Sequence, residues 1–512
     1  MLRKVQTRRP SWGVKELEGM QHVSVGRDGR RRPIRGVITM IVIAVLVAVM
    51  ALLGQRPAAA DPAPAAPAPA APAPSSPAAP AAPAPNPAAP ASPAATPATP
   101  AAAPAQPARV TKVFWYTDRR VALWVFSPSM NTEIQVQLLL ARDWWANPQA
   151  KFPQLTMLDG LRAQDDQSGW VINTDIVDFY KDKNVNVILP IGGESSFYTD
   201  WKEPDRGKNY QWETFLIREL PPIIQGDWRS TDVRGIEGLS MGGSAAMMLA
   251  ARNPGFYKFA ASFSGILQMT SYGMPQAIQF ALRDGGGYDA MKMFGPPSDP
   301  AWKEHDPYLL ADKLRGTSLY ISSGNGMVGP HDSPSDIPML ATNYSGVGLE
   351  LLSRVTSQQF AIKLNELGVP GQAVYRPSGT HTWPYWEFEM QQAWPQAAAA
   401  LGLSGDKVAC RVSAAFKKVA DRAKLGACLT PEYGVTGGKA QDFANGRIIT
   451  GPKGPKVLTG AIGGAYAGQG GPGGKLGLPT SDEQPWRDKG AFQTFAHGRI
   501  NWTPRGGAQI TR

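Results

Sequence analysis

Cysteine and histidine are the scarcest reactive residues in these 512 positions, with two and five copies respectively. Two cysteines cannot build a cysteine-rich metal framework. Cys410 and Cys428 lie close together late in the chain, where an exported protein would carry them as a disulfide. Two buried thiols are the alternative. Charge is also sparse, at 18% of residues, and the balance is +11. Ten Lys/Arg and three Asp/Glu fall within residues 1–35, leaving +4 for the other 477. That distribution leaves no strongly basic folded domain, and nucleic acid is not an expected partner. Nothing in the pattern calls for a metal or a nucleotide. The glycine run at 470–474 lacks the strand and helix that a phosphate loop needs. The expected cofactor list is therefore empty.

Long apolar runs are nearly absent too. The exception is residues 37–53 (VITMIVIAVLVAVMALL), 17 residues without a charge, preceded by arginines from Arg27 to Arg35. An arginine flank followed by such a run reads as an export signal or a membrane anchor, near the lower length limit for spanning. Ala58–Ala60 offers a small-residue cleavage site. Residues 57–108 are almost only alanine and proline. They have nothing to bury and favour extended polyproline II, reaching on the order of 150 Å as a stalk. The expected organisation is a basic segment at 1–35, a signal or anchor at 36–54, a linker at 55–109, a catalytic domain at 110–403 and a glycine-rich region at 404–512. The folded part is expected outside the cytoplasm, in the cell envelope or secreted, with the membrane as a partner if the anchor is retained.

Between 110 and 403, apolar strands alternate with helices. Strands are expected at 121–126, 134–140, 155–158, 185–189, 232–237, 259–263, 319–322 and 373–376, with helices at 215–225, broken at Pro221-Pro222, and at 349–367. Such alternation predicts an α/β fold with a largely parallel sheet covered on both faces. Its centre is Gly238-Leu239-Ser240-Met241-Gly242-Gly243. A strand, this G-x-S-x-G turn and a helix from 244 to 252 form the context of a nucleophile elbow, as in the α/β-hydrolase fold. The turn lifts the Ser240 hydroxyl above the sheet edge and aims helix-opening amides at the same point.

An elbow serine needs a base and an orienting acid, in the chain order Ser, Asp/Glu, His. His22 precedes the apolar run and His497 lies in the glycine-rich tail. Of His305, His331 and His381, only His381 follows a late strand through a loop, where the base belongs. The acid stays open among Asp306, Asp312, Asp332, Asp336 and Glu350. Glu350 opens a long helix, where an acid is also expected merely to complement the helix dipole.

In the tail, residues 441–448 (QDFANGRI) and 493–500 (QTFAHGRI) are similar at an offset of 52 residues, a repeat signature. With Leu476-Gly477-Leu478-Pro479 before the second copy, the region resembles the LGFP repeats of cell-wall proteins, which implies a wall-binding module. A structural cap on the catalytic domain is the alternative.

Several blocks resemble the antigen 85 mycolyltransferase family: 158–166 (LDGLRAQDD), 192–201 (GGESSFYTDW), 212–216 (WETFL), 238–241 (GLSM), 295–302 (GPPSDPAW) and 379–383 (GTHTW). The likeness covers nearly the whole α/β region. It implies a serine acyltransferase moving mycolyl groups from trehalose monomycolate to a second trehalose monomycolate or to arabinogalactan. It further implies Ser240 as nucleophile, His381 as base and Glu350 as acid. The backbone amides of Leu161 and Met241 would be oxyanion donors, Asp159 and Arg162 sugar-binding residues, and Trp383 an aromatic beside the base. Trp144, Trp145, Trp170 and Trp386 are further candidates for a lipid or sugar groove. Two departures stand out: residues 202–210 carry no cysteines where mycobacterial members commonly have a disulfide loop, and Gly242 stands where alanine is frequent. The competing expectations are a plain serine esterase and a wall-binding protein with an inert α/β domain.

Overall fold

The computed structural model describes residues 107–333 and 344–512. The basic segment, the apolar run, the Ala/Pro stalk and Asp336 lie outside the described residues. Among the described residues no helix is long and apolar enough to cross a membrane.

Nine strands form the central sheet: β1 (Arg109–Trp115), β2 (Arg120–Ser127), β3 (Thr132–Leu139), β4 (Phe152–Leu158), β5 (Asn186–Pro190), β6 (Ser230–Leu239), β7 (Phe259–Phe263), β8 (Ser318–Ser323) and β9 (Gln372–Tyr375). Their order is β1-β2-β3-β5-β4-β6-β7-β8-β9. The first four of these pair antiparallel, and every pair from β5-β4 to β8-β9 is parallel. β5 and β7 are buried at every position, as expected of strands covered on both faces. This is the expected α/β-hydrolase arrangement, with the expected strands present and extended by a residue or more at several ends.

We number the helices of nine or more residues: α1 (Met241–Arg252), α2 (Met274–Gly286), α3 (Tyr344–Glu366), α4 (Trp383–Ala400), α5 (Ala414–Ala423) and α6 (Gly460–Gly468). α1 runs under the sheet with eleven of its residues buried, which its run of Gly, Ser and Ala permits. α4 covers the other face through Trp386, Met390, Ala393 and Ala397. The expected break at Pro221-Pro222 does not occur. A π-helical turn at Phe215–Glu219 passes into helix Leu220–Gln225, and the prolines fall in its first turn, where their missing N–H costs little.

The tail forms two four-stranded antiparallel sheets, β10 to β13 (Tyr433–Val435, Gly438–Phe443, Gly446–Gly451, Gly454–Leu458) and β14 to β17 (Gln484–Trp486, Gly490–Phe495, Gly498–Thr503, Gly507–Thr511). α6 lies between them, in a core of Ala440, Ile449, Ile462, Tyr466, Phe495 and Ile500. Cys410 and Cys428 form a disulfide, with Cα atoms 6.0 Å apart. Residues 404–512 carry sixteen Lys/Arg against seven Asp/Glu. That corrects the expectation that no folded region is strongly basic: the acidic excess of residues 36–403 masks the tail's charge in the whole-chain balance.

Candidate active site

β6 ends where the chain must reverse sharply into α1. Ser240 takes up the reversal with φ 52° and ψ −121°, a conformation rare outside glycine. Its neighbours make room for it. A Cβ on Gly238 would stand 2.1 Å from the Gly242 carbonyl oxygen, and one on Gly242 would stand 2.5 Å from that of Asp159. Glycine at 242, where alanine is frequent in the resembled family, therefore matches a close approach of α1 to the end of β4. Ser240 itself is partly exposed.

His381 Nε2 lies 2.8 Å from Ser240 Oγ, and His381 Nδ1 lies 2.7 Å from Glu350 Oε2. Three side chains 110 and 31 residues apart in sequence thus form one hydrogen-bonded line at the C-terminal edge of the parallel strands. Glu350 is buried and held from several directions. Its Oε1 accepts hydrogen bonds from Ser264 Oγ at 2.9 Å, Ser323 Oγ at 3.1 Å and the Gly324 amide at 2.6 Å. The sequence reading placed Glu350 at a helix start. Instead α3 opens at Tyr344 and no acid stands in its first turn, so dipole complementation is not its role.

The other candidate groups fall elsewhere. His305 is buried, stacked on Phe294 at 4.4 Å between ring centres, with Nδ1 2.7 Å from the Ala301 carbonyl. Burial pushes its pKa down to about 4. His331 packs on Tyr385 and Phe388. Asp306 binds Thr270 and the Tyr308 amide, Asp312 opens a 3-10 turn, and Asp332 binds Thr380 and Tyr385.

Asp159, at the end of β4, is 3% exposed. Its Oδ2 accepts from the Gly169 amide at 3.0 Å, while Oδ1 has no partner among the described residues. Burial pushes its carboxyl up to about 7, against the opposing pull of the Gly169 and Trp170 amides. Arg162 does not pair with it. That side chain is 74% exposed and its nearest acid is Asp284, at 3.6 Å. The Met241 amide opens α1 and so has no intrahelical acceptor. The Leu161 amide has no acceptor among the described residues either, although the Leu161 carbonyl takes the Ser195 amide at 2.9 Å.

The aromatic expectation needs correcting. The ring against His381 is Trp386, edge-on at 5.0 Å; Trp383 packs one step further out, against Trp386 and Trp170. A helix carries residues three apart on one face, so the ring that reaches His381 is one turn along α4. Trp144 stacks with Phe152 and Trp228, and Trp145 faces the tail, so neither belongs to this site.

One further feature was present in the sequence only as a family block. Gly192, Gly193, Ser195, Phe197 and Tyr198 all have positive φ, from 48° to 99°. This tightly wound loop lies against the elbow: the Phe197 amide donates to Met241 Sδ at 3.3 Å, and the Tyr198 hydroxyl accepts from the Asp159 amide at 3.2 Å. The three non-glycine residues among them can hold such backbone only where surrounding packing imposes it.

Residues 127–397 match the family model described as putative esterase, and residues 425–474 and 476–512 match the LGFP repeat. A diacylglycerol acyltransferase/mycolyltransferase of Mycobacterium tuberculosis, Ag85A, is 39% identical over 289 residues, covering 55% of this chain and 81% of its own. Ag85B of Mycobacterium leprae is 40% identical over 253 residues, covering 48% and 74%. Among solved structures, MPT51 of Mycobacterium tuberculosis aligns with TM-score 0.46 and 27% identity, covering 56% of this chain and 97% of its own.

Proposed function

The chain belongs to the antigen 85 mycolyltransferase family, and we propose that it transfers mycolyl groups between sugar hydroxyls through an acyl-serine at Ser240. The observation that carries this reading is the line Ser240–His381–Glu350, with both imidazole nitrogens engaged at 2.8 and 2.7 Å. In the first half-reaction His381 Nε2 takes the Ser240 proton as Oγ attacks the ester carbonyl of trehalose monomycolate. The amides of Met241 and Leu161 receive the negative charge that develops on the carbonyl oxygen; one such donor contributes about 3 kcal/mol. The C–O bond to trehalose breaks and His381 returns the proton to the departing sugar oxygen. In the second half-reaction a hydroxyl of another trehalose monomycolate, or of arabinogalactan, gives its proton to His381 and attacks the acyl-serine. Ser240 leaves with that proton. Glu350, fixed by Ser264, Ser323 and Gly324, holds the imidazole in the tautomer that can accept from serine.

Asp159 is the sugar contact best supported by its surroundings, since a buried carboxyl with a free oxygen is costly until a hydroxyl meets it. Arg162, exposed on the same turn, is proposed as a second contact, and Trp383 as part of the groove wall. The LGFP repeats suit a wall-associated location, and residues 36–54 suit export.

Purified enzyme given trehalose monomycolate should yield trehalose dimycolate and free trehalose, with free mycolic acid a minor product. Ser240→Ala should lose transfer by at least about 10⁴-fold. Free acid as the sole product would leave an esterase and sink the transferase reading.

A further inference from the structure

The two tail repeats treat one conserved-in-place arginine differently. In the first repeat Asp442 pairs across the strands with Arg447, and in the second Thr494 stands opposite Arg499. Arg447 is buried, and its guanidinium edge faces two acids: Nε donates to Asp442 Oδ1, and Nη2, which makes no hydrogen bond among the described residues, lies 3.2 Å from Asp118 Oδ2 of the catalytic domain. The ring of Trp145, also from the catalytic domain, lies 4.8 Å below it. Arg499 has the aromatic half of this arrangement within its own sheet, over Trp486 at 4.0 Å and Phe492 at 3.7 Å. It lacks the acidic half. Both Nε and Nη2 of Arg499 are buried and without a hydrogen-bond partner among the described residues, where Arg447 has its Nε bonded and its Nη2 beside an acid.

The surrounding face is suited to a ligand. Strand alternation puts Arg499 and Asn501 on the face opposite Ile500, which is packed on α6. Phe492 stands across from Asn501, and Gln484 and Gln509 flank the same row. Asn501 Oδ1 is a third buried polar atom with no partner among the described residues. Trp486, Phe492, Arg499 and Asn501 are partly exposed, and Gln484 and Gln509 are exposed. The excess of Lys/Arg over residues 404–512 supplies long-range attraction for an acid.

We propose that this face of the second repeat binds a carboxylate-bearing polysaccharide, with Arg499 taking the carboxylate on the edge that Asp442 and Asp118 occupy in the first repeat. This assignment requires Arg499 to turn that edge outward, off the two rings on which it rests. A guanidinium edge suits a carboxylate in bidentate geometry. The amides of Asn501, Gln484 and Gln509 suit sugar hydroxyls, and the row of rings and amides extends along the sheet as a chain of sugars would. A free acid on a peptide would use the arginine but not the row of amides. The proposal is independent of the acyl-transfer chemistry at Ser240.

The test is calorimetric titration of the full chain with trigalacturonate at low salt, beside neutral galactotriose and a peptidoglycan stem peptide. The expected result is saturable binding of trigalacturonate that Arg499→Gln weakens at least tenfold, with thermal midpoint unchanged. Arg499→Lys should recover part of the affinity, and Arg505→Gln should leave it intact. Equal binding by wild type and Arg499→Gln would overturn the proposal, as would equal binding of galactotriose, or binding of the stem peptide alone.

Discussion

Among single residues, Glu237 is the most exposed to test. It sits on β6 three residues before the nucleophile, fully buried, with neither carboxylate oxygen partnered among the described residues. Burial raises its pKa to about 8, against 4.5 for a glutamate in water. The folded protein therefore holds a proton on Glu237 that the unfolded chain releases above about pH 4.5. Stability from this group is fully present below pH 4.5 and is lost progressively as pH rises to about 8. Replacing Glu237 with Met should leave the unfolding free energy near its wild-type value at pH 4.5 and raise it at pH 8.5, by a difference on the order of 1–4 kcal/mol. Equal effects of the substitution at the two pH values would contradict a neutral buried carboxyl. At the residue scale the sequence is most legible where one residue type is scarce. Five histidines left little choice, and His381 is the one that reaches Ser240. Glu350 is less legible, because the three groups that fix it come from after β7, the end of β8 and the turn following it. No spacing within the chain encodes that convergence.

Among elements, the elbow joining β6 to α1 carries the site, and its tolerance is set by backbone approach. Gly238→Ala would drive a Cβ to 2.1 Å from the Gly242 carbonyl oxygen, an atom that cannot move without shifting the start of α1. The variant should lose about 1–3 kcal/mol by chemical denaturation, and activity should fall with it, because the Met241 amide opens the displaced helix. An alanine variant with wild-type stability and turnover would show that the elbow has slack. Strands of the central sheet were readable because continuous apolar runs bounded by turns have few other uses. β1, by contrast, is mostly exposed and passes for the end of the linker. α4 was missed as a helix although it covers much of one sheet face: four aromatics near its start and Pro395 inside it obscure the helical period.

At the scale of the whole molecule, the first repeat is fastened to the catalytic domain. Arg447 joins Asp442 to Asp118, the Trp145 indole donates to the Asp118 carbonyl at 2.8 Å, and α6 comes so near β1 that a Cβ on Gly464 would stand 2.8 Å from the Trp115 carbonyl oxygen. Both readings of the tail thus have a physical counterpart: one repeat braces the enzyme, and the other presents an open face. Arg447→Ala removes the cation that bridges Asp442 and Asp118, leaving only Arg119 nearby, at a cost of about 3–5 kcal/mol. Scanning calorimetry should show the tail melting separately and earlier in this variant. A single unshifted transition would mean that the seam contributes little. The sequence displayed the repeat but not this docking, since the partners Asp118 and Arg447 are 329 positions apart and neither is unusual in its local context.

The central claim is that Ser240 carries the acyl group between two sugars. Intact-mass measurement after brief mixing with a short-chain trehalose ester tests it most directly. A single adduct of one acyl mass is expected, mapped to Ser240, absent from Ser240→Ala, and discharged faster by added trehalose than by water. An unmodified protein that still turns over the ester, or an adduct on another residue, would contradict it.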